Sequence, residues 1–419
     1  MIDSHCHLDL PHFEDDFEDT VARAVREGVT AFMNIGYDEV SARATAGFVE
    51  RFPFFFGVVG THPHDASTHS DAHETELRRL LAHPRIVGVG EIGLDFYRDH
   101  SPRDTQREVF RRMLRLARET AKPVVIHCRD AFEEVLEVLR EEGPAHRGIF
   151  HAFSGDEDAA RRVIDLGFHL GIGGVATFSN ANLRRTLEAL PLERIVLETD
   201  SPYLTPHPYR GNRNEPGYVT LVAQAVAEAN RTTLGDIARV TTVNFCRAMG
   251  VEPGAWPRPV YKIGGSVYIH VASADPGELQ GIDGVDELVM CGPGEPLADV
   301  GRVVAAARAG KERGWRVRLD TAGQGSAIAG RDVAAELAGV IDEVVVLMYG
   351  TAPAAAERAA SGWGRDARFE AACEFVREAV RAGLETVCEF VAVPRFDVEQ
   401  CRELAKTLGA KYDIRMYRS

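Results

Sequence analysis

Cysteine is sparse in this chain, and the few thiols it has are scattered. Seven cysteines stand at 6, 128, 246, 291, 373, 388 and 401, with no CxxC pair among them. That spacing argues against a disulfide framework and against a cysteine-rich zinc site. Most are expected to be small buried apolar residues. Long hydrophobic runs are missing too: none approaches the roughly 20 residues that span a bilayer, so no membrane partner is expected. The opening Met1-Ile2-Asp3-Ser4-His5 carries no basic segment followed by an apolar one, and a cytoplasmic protein is expected. Positive charge is short as well, with 48 Lys and Arg against 63 Asp and Glu and a net charge of −15. A passive, charge-driven nucleic-acid binder is normally basic, and this chain is not. An enzyme acting on phosphates stays open, because bound divalent ions add their own charge to a pocket.

What is present begins with length. At 419 residues the chain exceeds what one core organises, so one large barrel plus a second domain is the natural reading. Strands are expected at Met1–Cys6, Thr30–Ile35, Phe54–Gly60, Ile86–Glu91, Pro123–His127, Gly148–His151, His169–Gly171 and Ile195–Glu198. Between them run amphipathic helical patterns such as Thr105–Thr120, with Phe110, Met113, Leu114 and Ala117 on one face. Eight such units suggest an α/β fold, a (β/α)8 TIM-type barrel closed by helices between Tyr218 and Met249; the alternative is a doubly wound open sheet. Val251–Arg258 holds two prolines and a glycine and reads as a linker, giving domains 1–252 and 260–419 with 253–259 between them. A second, smaller α/β domain, a partial barrel, follows. Its strands are expected at Ser266–Val271, Glu287–Met290, Arg316–Asp320, Glu343–Leu347, Thr386–Val391 and Tyr412–Met416. An Ala-rich segment occupies Thr351–Ala360.

Fifteen histidines are more informative than the cysteines, because several end predicted strands. His5 and His7 lie two residues apart at the end of the first strand, a spacing that points both rings to one side. Glu91 closes IVGVGE, His127 closes PVVIH, His151 closes GIFH, and Asp200 follows IVLET. Each ends an apolar run at the rim where barrel enzymes place their chemistry. A buried carboxylate there is costly unless paired or bound to a metal. Four imidazoles and two carboxylates suit two divalent ions, with Zn, Mn or Mg all compatible with N and O ligands.

With these segments in place, the chain resembles the TatD-type metal-dependent deoxyribonucleases of the amidohydrolase superfamily. The resemblance is carried by IDSHCHLD, GTHPHD at 60–65, GEIGLDFY at 90–97, IHCRDA at 126–131, HAFSG at 151–155 and ETDSPYLTPHPYRGNRNEP at 198–216, and covers about residues 1–250. Ala152 stands where Cys is more usual, and Tyr209 where His is common. The resemblance implies His5 and His7 on one metal, His127 and His151 on the other, and Glu91 bridging. Asp200 would bind the first metal and accept the proton of the attacking water, so Glu91 and Asp200 are the expected catalytic residues. His62, Arg129, Arg210 and Asn214 are candidates for substrate contact; a loop-fixing role is the other reading for His62, pairing only with Asp130 or Glu91 for Arg129, and turn structure for Arg210 and Asn214. The expected activity is a DNA phosphodiesterase, exonucleolytic because a barrel-top pocket suits a chain end. The alternatives are an ester or amide hydrolase such as a D-aminoacyl-tRNA deacylase, or a nucleotide-binding or scaffold role for the C-terminal half.

In that half, DELVMCGPGEP at 286–296 ends a strand in a Gly/Pro-rich turn. Gly292–Pro296 resembles the loop with which radical S-adenosylmethionine proteins hold the cofactor's amino group, and RLDTAGQG at 318–325 and DEVVVLMYG at 342–350 fit the same family. The family's CxxxCxxC loop belongs near Tyr268–Leu279, where YIHVASADPGEL has no cysteine. The resemblance therefore implies a degenerate domain. No iron–sulfur cluster is expected, no cofactor-binding residues are assigned, and S-adenosylmethionine is not expected as a working cofactor.

Overall fold

Eight short apolar runs form the strands β1 (Ile2–Cys6), β2 (Ala31–Gly36), β3 (Phe55–Val59), β4 (Ile86–Asp95), β5 (Val124–Arg129), β6 (Gly148–Phe150), β7 (His169–Ile172) and β8 (Ile195–Leu197). They pair in parallel in chain order, as successive βα units require, in a computed structural model that describes residues 1–143, 146–178, 183–252, 260–348, 367–391 and 398–415. The ring closes just past the ladders: Cys6 bridges Ser201, Asp200 N–H donates to His5 O at 2.9 Å, and His7 N–H donates to Ser201 O at 2.8 Å. The fold is thus the expected TIM-type barrel. Contacts divide the chain into two compact units, Met1–Phe17 with Val29–Pro257 and Glu18–Gly28 with Arg258–Ser419.

The helices obey the periodicity of their sequences. α1 (Phe17–Arg26) leads to α2 (Glu39–Arg51), which starts at a capping box in which Asp38 and Ser41 satisfy each other's backbone N–H. α3 (Asp71–Leu80) is followed by α4 (Arg103–Glu119), which buries Val109, Phe110, Met113, Leu114 and Ala117, the face expected from its pattern. α5 (Phe132–Glu141), α6 (Glu157–Asp165), α7 (Leu183–Ala189), α8 (Val219–Ala229) and α9 (Leu234–Met249) complete the set. Phe245, Ala248 and Met249 of α9 pack with Ile2, Met33, Val58, Val125 and Val196, so α9 covers the end of the barrel where the strands begin. The opposite end is left to the loops that carry the polar residues.

In the second unit β9 (Val260–Ile263) runs antiparallel to β10 (Ser266–His270). β11 (Glu287–Cys291), β12 (Arg316–Thr321), β13 (Glu343–Met348), β14 (Glu385–Val391) and β15 (Lys411–Arg415) then add in parallel and in order. The edge strand β9 was not anticipated from the sequence. α10 (Val300–Glu312), α11 (Ala367–Arg381) and α12 (Val398–Leu408) supply Val303, Phe375 and Cys401 to a core that includes Val267, Met290, Leu319, Val346 and Phe390. The expected linker at 253–259 and the Ala-rich segment lie outside the described residues.

Candidate metal centre

β1 and the residue pair after it bring His5 and His7 to the barrel mouth, both buried. Asp200 follows β8 with φ 58°, a left-handed conformation that a residue other than glycine adopts at a cost. Its carboxylate lies 3.3 Å from His7 Nε2 and 3.7 Å from His5 Nε2. Glu91, on β4, is 3% exposed and sits between two groups of rings. Oε2 approaches His5 Nε2 at 3.4 Å, while Oε1 lies 2.6 Å from both His127 Nδ1 and His151 Nε2. The His5 and His151 rings stack at 4.1 Å. All six strand-end residues singled out in the sequence therefore converge on one buried site.

Burial alone would raise the Glu91 carboxyl, but His151, His62 and His127 overcome it and hold Glu91 well below the usual carboxylate range. Burial, reinforced by His151, pushes His5 down to about 4, so its imidazole is neutral near pH 7 and offers a lone pair. His151 goes the other way: burial would lower it, yet Glu91 lifts it to about 10. Burial would raise Asp200 too, and the hydrogen bond from His7 with the charge of His5 reverses that. Three sets of donors lie close enough to share an ion: His5, His7 and Asp200; His5, His151 and Glu198; and His62, Glu91 and His127. Both ring nitrogens of His5 and Nδ1 of His7 are buried without a hydrogen-bond partner among the described residues. Buried nitrogens left open in this way fit divalent ions, whose coordination would satisfy them.

The substrate-contact candidates separate. His62, in the loop after β3, is buried: it is 9% exposed, its Nε2 lies 3.6 Å from Glu91 Oε1, and burial pushes it down to about 4. Its Nδ1 accepts the His64 backbone N–H, so it fixes its loop and joins the donor set at once. Arg129 lies exposed past His127 and stacks over the Tyr97 ring at 4.0 Å. Among the described residues it is ion-paired with neither Asp130 nor Glu91. Arg210 is likewise exposed and lies over Phe178 at 4.1 Å. Asn214 departs from the expectation: it is fully buried, and its amide donates to Thr199 O and Tyr203 O, at 2.8 and 2.5 Å. Asn214 holds the loop that carries Asp200 and is not placed to touch a substrate.

Two carboxylates were missed. Asp95 ends β4, and its Oδ2 lies 3.0 Å from both His127 Nε2 and His64 Nε2, while Oδ1 accepts the Tyr97 and Arg98 backbone N–H groups. It sits four residues past Glu91, on the same strand, within the quoted GEIGLDFY. Glu198 is completely buried; Oε1 accepts the Ala152 N–H at 2.5 Å and lies 3.8 Å from His151 Nδ1. Burial raises it to about 7. Gly171 leaves the space for it, since a Cβ there would lie 2.1 Å from Glu198 Oε2. The run ETD, two acids on either side of Thr199, was the available signal. Beyond them, Arg213 forms a buried triad with Asp16 at 2.8 Å and Glu215 at 2.7 Å, which locks the same loop.

Comparison with known proteins points to one family. The family model described as TatD related DNase matches residues 2–250. The metal-dependent hydrolase YabD of Bacillus subtilis is 39% identical over 254 residues, covering 60% of this chain and 100% of the relative. A protein of Musicola paradisiaca named 3'-5' ssDNA/RNA exonuclease TatD is 34% identical over 257 residues, covering 59% of this chain and 97% of the relative. The crystal structure of YJJV, a TatD homologue from Escherichia coli, superposes with a TM-score of 0.57 at 29% identity, over 60% of this chain and 98% of that one. No helix among the described residues is long and apolar enough to cross a membrane. The chain belongs to the TatD related DNase family, and it is an enzyme, a metal-dependent hydrolase that acts on ester bonds.

Proposed function

We propose that the barrel is a two-metal phosphodiesterase that shortens DNA from a chain end. One observation carries this reading: the Glu91 carboxylate lies between two sets of rings, Oε2 toward His5 and Oε1 against His127 and His151. In this reading His5, His7 and Asp200 would hold one ion, His127 and His151 the other with His62 beside them, and Glu91 would serve both. Divalent ions held there would supply charge neutralisation for a nonbridging phosphoryl oxygen and would acidify a water near neutral pH.

The chain's own residues do the rest. Asp200 takes the proton of the attacking water, a role its ionised carboxylate can fill. Asp95 fixes the His127 ring, and Glu198 stands behind His151, as outer carboxylates commonly do for ligating histidines. The exposed side chains of the mouth suit a nucleic-acid strand. Tyr203, at 51% exposed, presents a ring on which a base can stack. Arg129 and Arg210, held over aromatic rings, are placed to meet phosphates. The named relative from Musicola paradisiaca supports the same substrate class.

The test is a panel of single-stranded DNA, RNA and D-aminoacyl-tRNA incubated with purified, metal-reconstituted protein. Mononucleotides released progressively from single-stranded DNA are expected. Cleavage of the aminoacyl ester with both nucleic acids left intact would replace this reading by the ester-hydrolase one. For residues 260–419 we propose a degenerate radical-SAM-like domain that serves as a scaffold. Glu295, the acid of its Gly/Pro loop, is engaged by Thr321 Oγ1, the Gln324 N–H and the Leu297 N–H, which leaves it little capacity for a ligand's amine.

A further inference from the structure

At the end of the barrel opposite the metal donors, the entrances of three strands and the last turn of α9 enclose a cavity of about 380 Å³. Arg147 lies just before β6, His169 opens β7, Glu193 and Arg194 precede β8, and Arg247 comes from α9. A volume near 380 Å³ falls within the range of small-molecule sites. We propose that this cavity binds a small phosphomonoester, its dianionic phosphate held by Arg147, Arg194 and Arg247.

The charge balance comes first. Three guanidinium groups face one carboxylate, in a chain whose net charge is −15. Among the described residues none of the three arginines is ion-paired, whereas many arginines on the outer helices are. Arg78, Arg103, Arg111, Arg112, Arg161 and Arg162, for example, each have a carboxylate within 3.3 Å. Arg194 makes only a long contact, 3.4 Å from Nη1 to Gly167 O. Like-charged groups gathered without counter-charges repel one another, and an anion between them removes that cost. The excess of two positive charges matches a phosphomonoester dianion better than a diester, which carries one charge. Guanidinium forks also fit phosphate oxygens two at a time.

The second observation is His169. It is 6% exposed and lines the cavity, yet its Nδ1 has no hydrogen-bond partner among the described residues. An orphaned polar atom in a buried side chain calls for a partner that is missing. The ring already makes one backbone hydrogen bond, at Glu193, and burial, with Arg194 and Arg247 adding to it, holds the imidazole down to about 4, so it enters the site uncharged. A neutral ring beside three cations can hydrogen-bond the ester oxygen, or a hydroxyl of the attached group, without competing for charge. The site shares no residue with the metal centre and does not depend on the phosphodiesterase reading.

The full-length protein, with and without added metal, is titrated with inorganic phosphate, a nucleoside 5'-monophosphate, and a short oligonucleotide lacking terminal phosphates. The ring 15N signals of His169 are the readout, because they report this cavity and not the mouth. Phosphate and the monophosphate are expected to shift Nδ1 with dissociation constants of about 1 mM or tighter, and the oligonucleotide is not. The variants Arg147→Ala and Arg247→Ala, both at exposed positions, should each weaken binding by about tenfold or more. No shift with either phosphate up to roughly 10 mM overturns the proposal, as does a shift that both variants leave intact. An equal shift with the oligonucleotide that lacks terminal phosphates overturns the assignment to a monoester.

Discussion

Replacing Asp95 by asparagine tests whether the metal donors are held from behind. In the folded barrel Asp95 Oδ1 accepts the N–H groups of Tyr97 at 3.0 Å and Arg98 at 2.8 Å, which fixes the orientation of the carboxyl group. Oδ2 then faces His127 Nε2 at 3.0 Å, so with an ion at Nδ1, the nitrogen on the side of Glu91 and His151, His127 would carry its one proton on Nε2 toward Asp95. In the Asp95→Asn variant the side-chain oxygen stays with the two backbone donors, and the amide NH2 takes the place of Oδ2. Two donors then meet, and the imidazole relieves the clash by moving its proton to Nδ1, the atom needed for a metal. Loss of such an outer partner costs about 10–100-fold in metal affinity, or about 1.4–2.7 kcal/mol. Because the substitution reverses a tautomer and does not merely remove an acceptor, Asp95→Asn should fall at the weaker-binding end and Asp95→Ala above it. Chelator competition with zinc or manganese gives the affinities, and ring 15N shifts of His127 give the tautomer. If Asp95→Asn bound metal like the parent while His127 kept its proton on Nε2, the argument would fail at its first step.

Three other outcomes are expected. Asp200→Asn should lower kcat by about two orders of magnitude or more while circular dichroism stays unchanged, since an amide neither ligates well nor takes a proton; near-normal turnover removes Asp200 from the chemistry. Metal analysis of fully loaded protein should give two divalent ions per chain, and a saturating value of one would leave Glu91 without a bridging role. In the second unit, burial would raise Glu389, but Arg26 and Arg415 overcome it and hold it down to about 2. A folded-state pKa below the ordinary one contributes stability that is present above the usual carboxylate range and lost as pH falls toward about 2, here about 3 kcal/mol at most. Glu389→Gln should thus lower the melting temperature at pH 7 and flatten its decline in acid; the same acid slope in both proteins would refute the pairing.

The barrel was legible because its strands obey a simple rule: a parallel strand buried on both faces reads as a continuous apolar run. IVGVG, PVVI and IVL announce β4, β5 and β8 in this way, and the polar residue that ends each run stands out against them. The boundaries were less legible. β4 runs on to Asp95 past Glu91, because its ladder with β5 shifts register between Val89 and Ile92 and then resumes from Ile92 to Asp95. β9 was missed since its register is set by an antiparallel turn with β10 and its exposed positions break the apolar pattern. Asn214 shows the opposite failure. A polar residue in a Pro/Gly-rich loop looked available for substrate, but the loop folds over it and its amide satisfies two carbonyls of the chain.

The missed carboxylates follow a common logic. Spacing along a strand finds residues that share a face with a known ligand, but an outer partner is reached across the ring of that ligand, through an atom on its far side. Asp95 meets His127 from the neighbouring strand, and Glu198 meets the residue after His151 through a backbone N–H. Both depend on close approach: Glu198 on the absence of a side chain at Gly171, Asp95 on the turn formed by Tyr97 and Arg98. The same logic sets the C-terminal unit apart. There the four cysteines, Cys291, Cys373, Cys388 and Cys401, are buried, with burial and then the neighbouring Cys373 pushing the Cys388 thiol up to about 12. The cluster of the family that this domain resembles is held by three thiolates of one loop, and the segment 268–279 offers none. Anaerobic reconstitution with iron and sulfide should leave the visible spectrum featureless. An absorption band of the iron–sulfur type that disappears in Cys291→Ser would mean that distant thiols converge, and would return radical chemistry to this domain.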